Sequence, residues 1–417
     1  MFDRLPAPAQ LEEEVLALWD ARDVFEKSME QAEGRPDFVF FEGPPTANGL
    51  PHNGHVLTRV VKDVIPRFMT MKGHRVRRKA GWDTHGLPVE IEVQKRLGLK
   101  GRAGIEEMGI AAFNNACRDS VFTYVDEWNT LTRQVGFWVD LSDPYVTFHR
   151  AYVESVWWAL AELFDKGLLY KGHKVIWWWP QGGTSLSAAE VGLGYKTVDD
   201  PAITVRFRDA DDPSVSYLAW TTTPWTLPSN VALAVGADIE YALCDDPDGG
   251  TVIVAADLAA AHDLEPRETV KGSELVGRRY TPQFDFGPVR PLAGGQGDST
   301  DAFVIVTADH VTTSAGTGIV HTAPAFGEDD MRAAQQAGLG MLQWVRPDGT
   351  FGPEAGAFAG MFCKDADKPI IADLKERGLL FKRDQYRHDY PFSYRADDEP
   401  LIQYARPTWF IRTTQAI

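Results

Sequence analysis

The sequence has little cysteine. Three residues in 417 are cysteines, and Cys117, Cys244 and Cys363 stand far apart. Their number and spacing exclude a disulfide framework and fit none of the paired spacings through which cysteines bind metal. A chain that needs no disulfides is typical of a reducing compartment, so the sequence predicts a cytoplasmic protein.

Long apolar runs are also missing. No stretch approaches the roughly 20 apolar residues that a helix needs to span a bilayer. The first residues, MFDRLPAPAQLEEEVLALWD, are acidic and helical in pattern, and they lack the basic and apolar regions of a secretory signal. We therefore expect neither a membrane partner nor a secretory signal.

An excess of positive charge is absent as well. The formal net charge is −17, which argues against a protein that coats nucleic acid nonspecifically. One local exception runs from Arg59 to Lys79, where basic side chains are opposed by Asp63 alone. This basic cluster fits either a solvated face or a surface for RNA or phosphate, and the sequence leaves both open.

What is present indicates a globular chain of two or three domains. The first third alternates helical spacing with short apolar runs such as FVFF at 38–41, which we interpret as a strand. From about Asp199, short β-rich runs follow one another between Gly, Pro and Asp residues, which is typical of a compact β-barrel-like or mixed domain. The layout predicts an α/β domain that carries a β-rich insertion.

The stretch GPPTANGLPHNGH at 43–55 joins the predicted strand to a helix predicted over about 53–71. His52 and His55 are three residues apart, so both can point at one ligand beside the free N–H groups of the helix start. Gly54 leaves room for a flat group such as adenine. The pattern suits a polyphosphate better than a metal, because no third ligand is near. Taken alone, so short a motif is more typical of a surface turn and a helix cap.

Four motifs together resemble the class I aminoacyl-tRNA synthetases and, within them, the isoleucyl family. They are HNGH at 52–55, GWDTHGLPVE at 81–90, TTTPWTLPSN at 221–230 and GTGIVHTAPAFGEDD at 316–330. The resemblance implies an N-terminal helix and the first half of a Rossmann-like nucleotide-binding domain at 1–175. It further implies a linker at 176–198, an inserted β-rich editing domain at 199–385 and a return linker at 386–417.

The resemblance also implies a reaction. Isoleucine attacks the α-phosphate of ATP to give isoleucyl-adenylate, and the acyl group then moves to tRNA(Ile). ATP with Mg²⁺, isoleucine and tRNA(Ile) are the implied partners of a cytoplasmic monomer. His52 and His55 are implied as catalytic ATP-binding residues, with Gly54 against the adenine. Asp83 is implied to hold the α-ammonium group of isoleucine and Pro45 to line the pocket for its side chain. By itself Asp83 also fits a helix N-cap.

A pocket for isoleucine cannot exclude the smaller valine, because one methylene is worth about 1–3 kcal/mol, and this family is the standard example of that limit. The resemblance therefore implies hydrolysis of Val-tRNA in the inserted domain. The implied editing residues are Thr221, Thr222, Thr223, Asn230, His321 and Asp330. The threonines and Asn230 would contact the terminal adenosine and the ester, His321 would limit the size of the pocket, and Asp330 would bind the ammonium. Water is the expected attacker. Alone, the threonine run fits an edge strand and GEDD fits a helix start.

The sequence departs from the family at a zinc site. Many members hold structural zinc with two C-x-x-C pairs, but the matching residues here are Trp179, Gly182, Ser393 and Ala396. None is a thiolate or an imidazole. We expect no zinc there, with the neighbouring tryptophans packing in its place.

The second signature of the family, a lysine-rich KMSKS-type loop, is not found in the sequence. We therefore expect the N-terminal part of a longer synthetase that forms no adenylate by itself. Three alternatives stay open. The chain fits a valyl or leucyl relative, a stand-alone hydrolase of mischarged tRNA that uses the β-rich segment, or a noncatalytic RNA-binding fragment that uses the basic cluster.

Overall fold

A computed structural model describes residues 7–99, 101–292, 299–394, 396 and 399–415. The chain divides into two compact units, Met1–Lys166 and Gly167–Ile417. Each unit has hydrophobic clusters of its own. Within the described ranges, no helix combines the length and the apolar character needed to cross a membrane. The finer domain boundaries at 175, 198 and 385 stay predictions.

The first unit packs helices around a two-stranded sheet. Its helices are α1 (Pro8–Arg22), α2 (Val24–Glu30), α3 (Asn53–Met71), α4 (Leu87–Leu97), α5 (Gly101–Met108), α6 (Ile110–Ser120), α7 (Val125–Gln134) and α8 (Arg150–Asp165). Its strands are β1 (Lys79–Trp82) and β2 (Asp140–Val146), which pair in parallel. Parallel strands need a long crossover, and α4 to α7 supply it. The predicted helix over 53–71 is confirmed by α3.

The strand predicted at 38–41 is wrong. The structure has only an isolated bridge between Asp37 and Arg75, with the Phe38 N–H donating to the Arg75 carbonyl at 2.8 Å. Val39 and Phe41 are exposed. A strand needs a neighbour to bond with along its length, and in the described chain this run has one only at its start.

The basic cluster between Arg59 and Lys79 is divided between the interior and the surface. Arg59 and Arg78 are buried, Arg67 lies 3.8 Å above the ring of Trp138, and Lys62 forms a 2.7 Å ion pair with Glu42. These four cations support the first unit from within, whereas other members such as Lys72 and Arg77 stay exposed, so the basic surface is smaller than the sequence indicates.

The apolar stripe of α3 faces outward. Its residues Leu57, Val60, Val61, Val64, Ile65 and Phe68 are all exposed. The buried residues of the helix are Arg59 and Pro66 instead. Hydrophobic spacing therefore predicted the helix, but not which of its faces is buried.

The second unit is rich in strands. They are β3 (Leu169–Trp179), β4 (Thr184–Ser185), β5 (Tyr195–Arg208), β6 (Val215–Thr221), β7 (Ala232–Val235), β8 (Glu240–Asp245), β9 (Thr251–Ala255), β10 (Pro266–Lys271), β11 (Val304–Thr307), β12 (Val320–Thr322), β13 (Leu380–Pro391) and β14 (Ile402–Ile411). Its α-helices are α9 (Ala188–Val191), α10 (Gly272–Leu275), α11 (Glu328–Gln336) and α12 (Asp367–Glu376). Short 3-10 helices span Pro224–Ser229, Ala256–His262, Pro353–Phe358, Cys363–Ala366 and Thr413–Gln415. Strands β14, β3 and β4 form a small antiparallel sheet.

The larger sheet closes on itself. Its strands follow the order β10-β8-β9-β6-β12-β7-β11, β5 pairs with the other edge of β6, and β13 pairs with β5. The segment 278–281 joins β11 back to the end of β5. The Ile305 N–H donates to the Arg278 carbonyl at 2.9 Å, and the Thr281 N–H donates to the Arg208 carbonyl at 2.9 Å. The resulting ring confirms the barrel-like prediction.

The four positions where the family carries cysteines lie together. The Trp179 indole N–H donates to the Glu399 carboxylate at 2.6 Å, and the Ser393 N–H donates to the Glu399 carbonyl at 2.9 Å. The Ala396 N–H donates to the Ser393 carbonyl at 3.3 Å. A Cβ on Gly182 would come within 2.1 Å of the Trp179 ring, so this place is filled by an indole over a glycine. The absence of zinc stays a prediction.

Candidate functional sites

Helix α3 begins with two histidines that cap it reciprocally. The Gly54 N–H donates to His52 Nδ1 at 3.2 Å, and the His52 N–H donates to His55 Nδ1 at 3.1 Å. The two ring centroids are 3.7 Å apart. A neutral imidazole that accepts through Nδ1 carries its proton on Nε2. The capping arrangement therefore leaves an Nε2–H donor on each ring, at a helix end that already favours anions.

His55 stays uncharged near neutral pH. It is half-buried, with its ring centroid 4.7 Å from that of Trp128. Burial and then the charges of His52, Arg59 and Lys62 lower the pKa of His55. The neutral His55 ring can donate a hydrogen bond to a polyphosphate without first taking up a proton. The neighbouring cations Arg59 and Lys62 supply the positive charge that such a ligand needs.

The ring of His52 leaves little room for a side chain at Gly54. A Cβ at this position would lie 3.0 Å from Cε1 and 3.1 Å from Nδ1 of His52. That separation is closer than ordinary van der Waals contact, so a side chain here would push the ring away. The glycine therefore permits the histidine cap as well as close approach of a ligand.

Pro45 and Asp83 lie side by side. Asp83 directly follows β1, and its N–H donates to the Pro45 carbonyl at 2.9 Å. The Asp83 side chain is half-buried, and its Oδ1 accepts from the His85 N–H at 3.4 Å. The structure thus brings the two residues predicted for isoleucine binding together.

A buried aromatic cluster connects the two predicted binding regions of the first unit. Ala47, Trp82 and Trp128 pack in one core cluster. Trp82 precedes Asp83 in the chain, and Trp128 contacts His55. The predicted ATP residues and the predicted isoleucine residues are therefore supported by the same cluster.

The second unit contains a cavity of about 360 Å³. The described residues that line it include Thr221, Thr222, Thr223, Thr226, His310, His321, Phe326 and Asp330. Five of the six predicted editing residues therefore share one cavity. Asn230 is not among the described residues that line it, and it contacts the cavity through His321.

The threonines are ordered by short bonds at the end of β6. The Thr223 N–H donates to Thr221 Oγ1 at 3.1 Å, and the hydroxyls of these residues are 3.3 Å apart. The Thr226 hydroxyl donates to the Thr223 carbonyl at 2.8 Å as the chain enters the 3-10 helix Pro224–Ser229. Thr222 is half-buried in the same wall. The loop thus presents several hydroxyls to one cavity.

His321 is held on both ring nitrogens. Nε2 lies 2.9 Å from Thr226 Oγ1, and Nδ1 lies 2.8 Å from Asn230 Nδ2. The side chain is buried, and that burial lowers the pKa of His321 to about 3. The ring is therefore neutral at physiological pH.

Asp330 is the acidic group of the cavity. It lies in the first turn of α11, and its Oδ2 accepts from the Ala323 N–H at 2.9 Å. The side chain is half-buried in the cavity wall, and desolvation raises the pKa of Asp330 to about 6 despite that hydrogen bond. A desolvated carboxylate gains from a cationic partner, so this position suits an ammonium group.

Sequence reasoning missed three residues of this region. Thr226 stands inside the quoted threonine motif, so its polar character there was a usable signal. His310, which lines the cavity, and Tyr280, whose hydroxyl donates to Asn230 Oδ1 at 2.6 Å, lie outside every motif. Nothing in the local sequence marks either of them.

The family described as tRNA synthetases class I (I, L, M and V) matches residues 14–417. The chain belongs to this family. Its letters stand for the isoleucine, leucine, methionine and valine enzymes, so membership alone does not choose among these amino acids.

Individual relatives of this class I tRNA synthetase have narrower names. The chain is 47% identical over 405 residues to an isoleucine–tRNA ligase of Clostridium kluyveri, a match that covers 97% of the chain and 38% of the relative. It is 47% identical over 410 residues to an isoleucine–tRNA ligase of Bdellovibrio bacteriovorus, covering 97% and 38%. It is 47% identical over 416 residues to an isoleucine–tRNA ligase of Streptomyces coelicolor, covering 98% and 38%. The chain thus spans about two fifths of the length of these relatives.

One solved structure shows a weak likeness to the chain. It is described as the crystal structure of GlLeuRS-CP1, with a TM-score of 0.33, 16% sequence identity, and coverage of 45% of this chain and 98% of that one. A TM-score of this size establishes no shared fold.

Proposed function

We propose that this class I tRNA synthetase chain supplies the phosphate-binding and isoleucine-binding residues for ligating isoleucine to tRNA(Ile) through isoleucyl-adenylate, and that its second unit hydrolyses Val-tRNA. The observation that carries the proposal is the gathering of the four motifs into two clusters, one in each unit. The names of the relatives favour isoleucine over valine or leucine. We further propose a cytoplasmic monomer, and a Rossmann-like arrangement around the parallel pair β1–β2.

In the adenylation step the histidine cap serves the phosphates of ATP. The Nε2–H groups of His52 and His55 donate to phosphate oxygens and stabilise negative charge as pyrophosphate leaves. The free N–H groups at the start of α3 act in the same direction. Gly54 lets the adenine lie against the backbone. Positioning and charge stabilisation supply the catalysis, and no side chain forms a bond to the substrate.

Isoleucine is held by the neighbouring pair. Asp83 accepts a charge-assisted hydrogen bond from the α-ammonium group, and Pro45 lines the pocket for the apolar side chain. The backbone bond between the two residues keeps these features in register. The carboxylate of isoleucine is then free to attack the α-phosphate.

Mg²⁺ enters the proposal only as part of the nucleotide substrate. Among the described residues, no group of three His, Cys, Asp or Glu side chains is placed to hold a metal ion. In our proposal Mg²⁺ arrives on the phosphates of ATP.

In the hydrolytic step the cavity of the second unit sorts acyl groups by size. Asp330 binds the α-ammonium group of the valyl ester, and the threonine hydroxyls contact the ester and the terminal adenosine of tRNA. His321 forms a wall that leaves no room for the additional methylene of isoleucine. A water molecule held between substrate and protein attacks the ester carbonyl.

The decisive test compares two adjacent carboxylates. Asp330→Ala should slow the release of valine from Val-tRNA by about a hundredfold, because one charge-assisted hydrogen bond to a buried group is lost. Asp329→Ala is the matched control, since Asp329 is exposed and pairs with Arg332 at 3.0 Å. Equal rates in the two variants would reject the role of Asp330.

One further measurement separates the proposal from a stand-alone hydrolase of mischarged tRNA. A synthetase that carries this chain together with a KMSKS-type loop should exchange pyrophosphate into ATP in the presence of isoleucine, and valine should support a slower exchange. Deacylation without any isoleucine-dependent exchange would favour the hydrolase instead.

A further inference from the structure

A chain of hydrogen bonds crosses the barrel wall behind the hydrolytic cavity. It runs from Tyr280 through Asn230 and His321 to Thr226. We propose that Asn230, Tyr280 and Thr226 are positioning residues that fix His321 as the neutral Nε2–H tautomer. His321 then serves the cavity as a rigid wall and not as a general base. The tautomer follows from geometry alone, whereas the role in hydrolysis rests on the proposed function.

The direction of the chain is fixed at one end by the backbone carbonyl of Ala232. This oxygen can only accept, and it lies 2.9 Å from the side-chain nitrogen of Asn230. The Asn230 amide must therefore point its NH₂ group toward Ala232 and toward His321 Nδ1, which is 2.8 Å away. Its two hydrogens serve these two acceptors, so Nδ1 of His321 carries a lone pair and no proton.

Tyr280 completes this end. Its hydroxyl donates to Asn230 Oδ1 at 2.6 Å, which satisfies the remaining acceptor of the amide. Tyr280 belongs to the segment that closes the barrel, and its ring lies 5.4 Å from Phe207 and 6.2 Å from Phe303, measured between centroids. The closure of the barrel thereby sets the position of the amide.

The other end is fixed by the backbone carbonyl of Thr223. The Thr226 hydroxyl donates its one hydrogen to that carbonyl at 2.8 Å. Its oxygen, 2.9 Å from His321 Nε2, must therefore accept. Thr226 thus requires a proton on Nε2 of His321, and Asn230 requires that Nδ1 carry none. Both requirements are met by the same tautomer.

Both ring nitrogens are consequently engaged with the protein. Nδ1 accepts and Nε2 donates, so no lone pair remains to take a proton from water. The pKa of His321, lowered to about 3 by burial, agrees with a ring that stays neutral. A ring held at both ends presents one fixed edge to the cavity, as a size filter requires.

The tautomer can be measured directly. Nitrogen NMR of protein carrying ¹⁵N-histidine, with the His321 signals assigned by their loss in His321→Gln, should show Nε2 protonated and Nδ1 not. This measurement needs no tRNA. A proton on Nδ1 would overturn the inference.

The positioning role is tested by the ratio of hydrolysis rates for Val-tRNA and Ile-tRNA. Thr226→Val and Tyr280→Phe each remove one hydrogen bond, and each should lower this ratio by about three- to tenfold as the wall loosens and admits isoleucine. Thr226→Ser keeps the hydroxyl and should restore the ratio. General misfolding would lower both rates together and leave the ratio unchanged.

An unchanged ratio in Thr226→Val with the rate for Val-tRNA retained, or no restoration in Thr226→Ser, would overturn the positioning role. If the unaltered protein hydrolysed neither tRNA, the proposed function would be overturned, and with it the role of His321 as a size filter. In that case the NMR result would still decide the tautomer.

Discussion

At the scale of single residues, the most informative groups are buried side chains whose ionisation burial has shifted. Asp367 is one of them. It is buried at the start of α12, and its Oδ1 accepts from the Trp225 N–H at 2.8 Å, beneath the threonine loop. Desolvation raises the pKa of Asp367 from 3.8 to about 7. The folded chain therefore holds this proton over a pH range in which the unfolded chain has released it.

This shift predicts a pH dependence of stability. The contribution of Asp367 is complete below about pH 4 and is lost as the pH rises through about 7, because the folded state binds more protons in between. Asp367→Asn keeps an acceptor for Trp225 and removes the titration. We expect the variant to exceed the unaltered protein in free energy of unfolding at pH 8, by at most about 4 kcal/mol. Denaturant unfolding at pH 4 and pH 8 would measure this.

The control for this prediction is Glu376→Gln, which changes an exposed carboxylate at the end of the same helix. It should leave the pH dependence as it was. A flat profile for the unaltered protein between pH 4 and pH 8 would contradict the assignment.

Gly54 gives a second prediction at this scale. Gly54→Ala places a Cβ 3.0 Å from the His52 ring, so the ring must move and the bond between the Gly54 N–H and His52 Nδ1 is lost. In a synthetase that carries this chain together with a KMSKS-type loop, isoleucine-dependent pyrophosphate exchange should fall about tenfold or more. Stability should change little, because the preference of alanine for the helix offsets the lost cap.

Asn53→Ala provides the comparison, since Asn53 is an exposed residue at the start of the same helix. Exchange should be nearly unaffected in that variant. If both variants behaved alike, the position of the His52 ring would not matter for the nucleotide.

At the scale of elements, the bond between Trp179 and Glu399 joins the end of β3 to the segment that precedes β14. Trp179→Phe keeps most of the packing over Gly182 but removes the indole N–H that binds the carboxylate at 2.6 Å. A hydrogen bond to a charged group contributes about 1.5–3 kcal/mol, so the unfolding free energy should fall by roughly that amount. Thermal unfolding would measure the loss.

Trp177→Phe is the matched control, because within the described chain the Trp177 indole nitrogen makes no hydrogen bond. Trp177→Phe should lower the unfolding free energy by less than Trp179→Phe does. A chelator should leave both unfolding curves unchanged, and a chelator-induced drop with stoichiometric zinc in the protein would refute the expected absence of that metal.

At the scale of the whole molecule, each candidate site lies inside one compact unit. The hydrogen bonds that order the hydrolytic cavity all join residues of Gly167–Ile417. Residues 167–417 produced alone should therefore unfold cooperatively and hydrolyse Val-tRNA without ATP. Circular dichroism and a deacylation assay would show this, with Asp330→Ala in the same segment as the inactive control. Noncooperative unfolding would mean that the second unit depends on the rest of the chain.

Features that depend on near neighbours in the chain could be predicted from the sequence. Helix α3 appears at its predicted bounds because its spacing and its start are encoded within 19 residues. His52 and His55 meet because three residues make one helical turn. The motifs likewise identified the family and five residues that line the cavity, since each motif is read from one continuous stretch.

Features that depend on contacts between distant residues became visible only in the folded structure. Tyr280 and Asn230 are 50 residues apart in the chain, and their meeting requires the barrel to close. Arg59 and Arg78 belong to a basic stretch of the sequence, but the fold buries both side chains. Residues 38–41 formed no strand because the fold placed no pairing strand beside them. The spacing of residues along a chain does not indicate which distant group will complete a hydrogen bond or shield a side chain from water. Hydrogen-bond partners and burial are therefore decided when the chain packs.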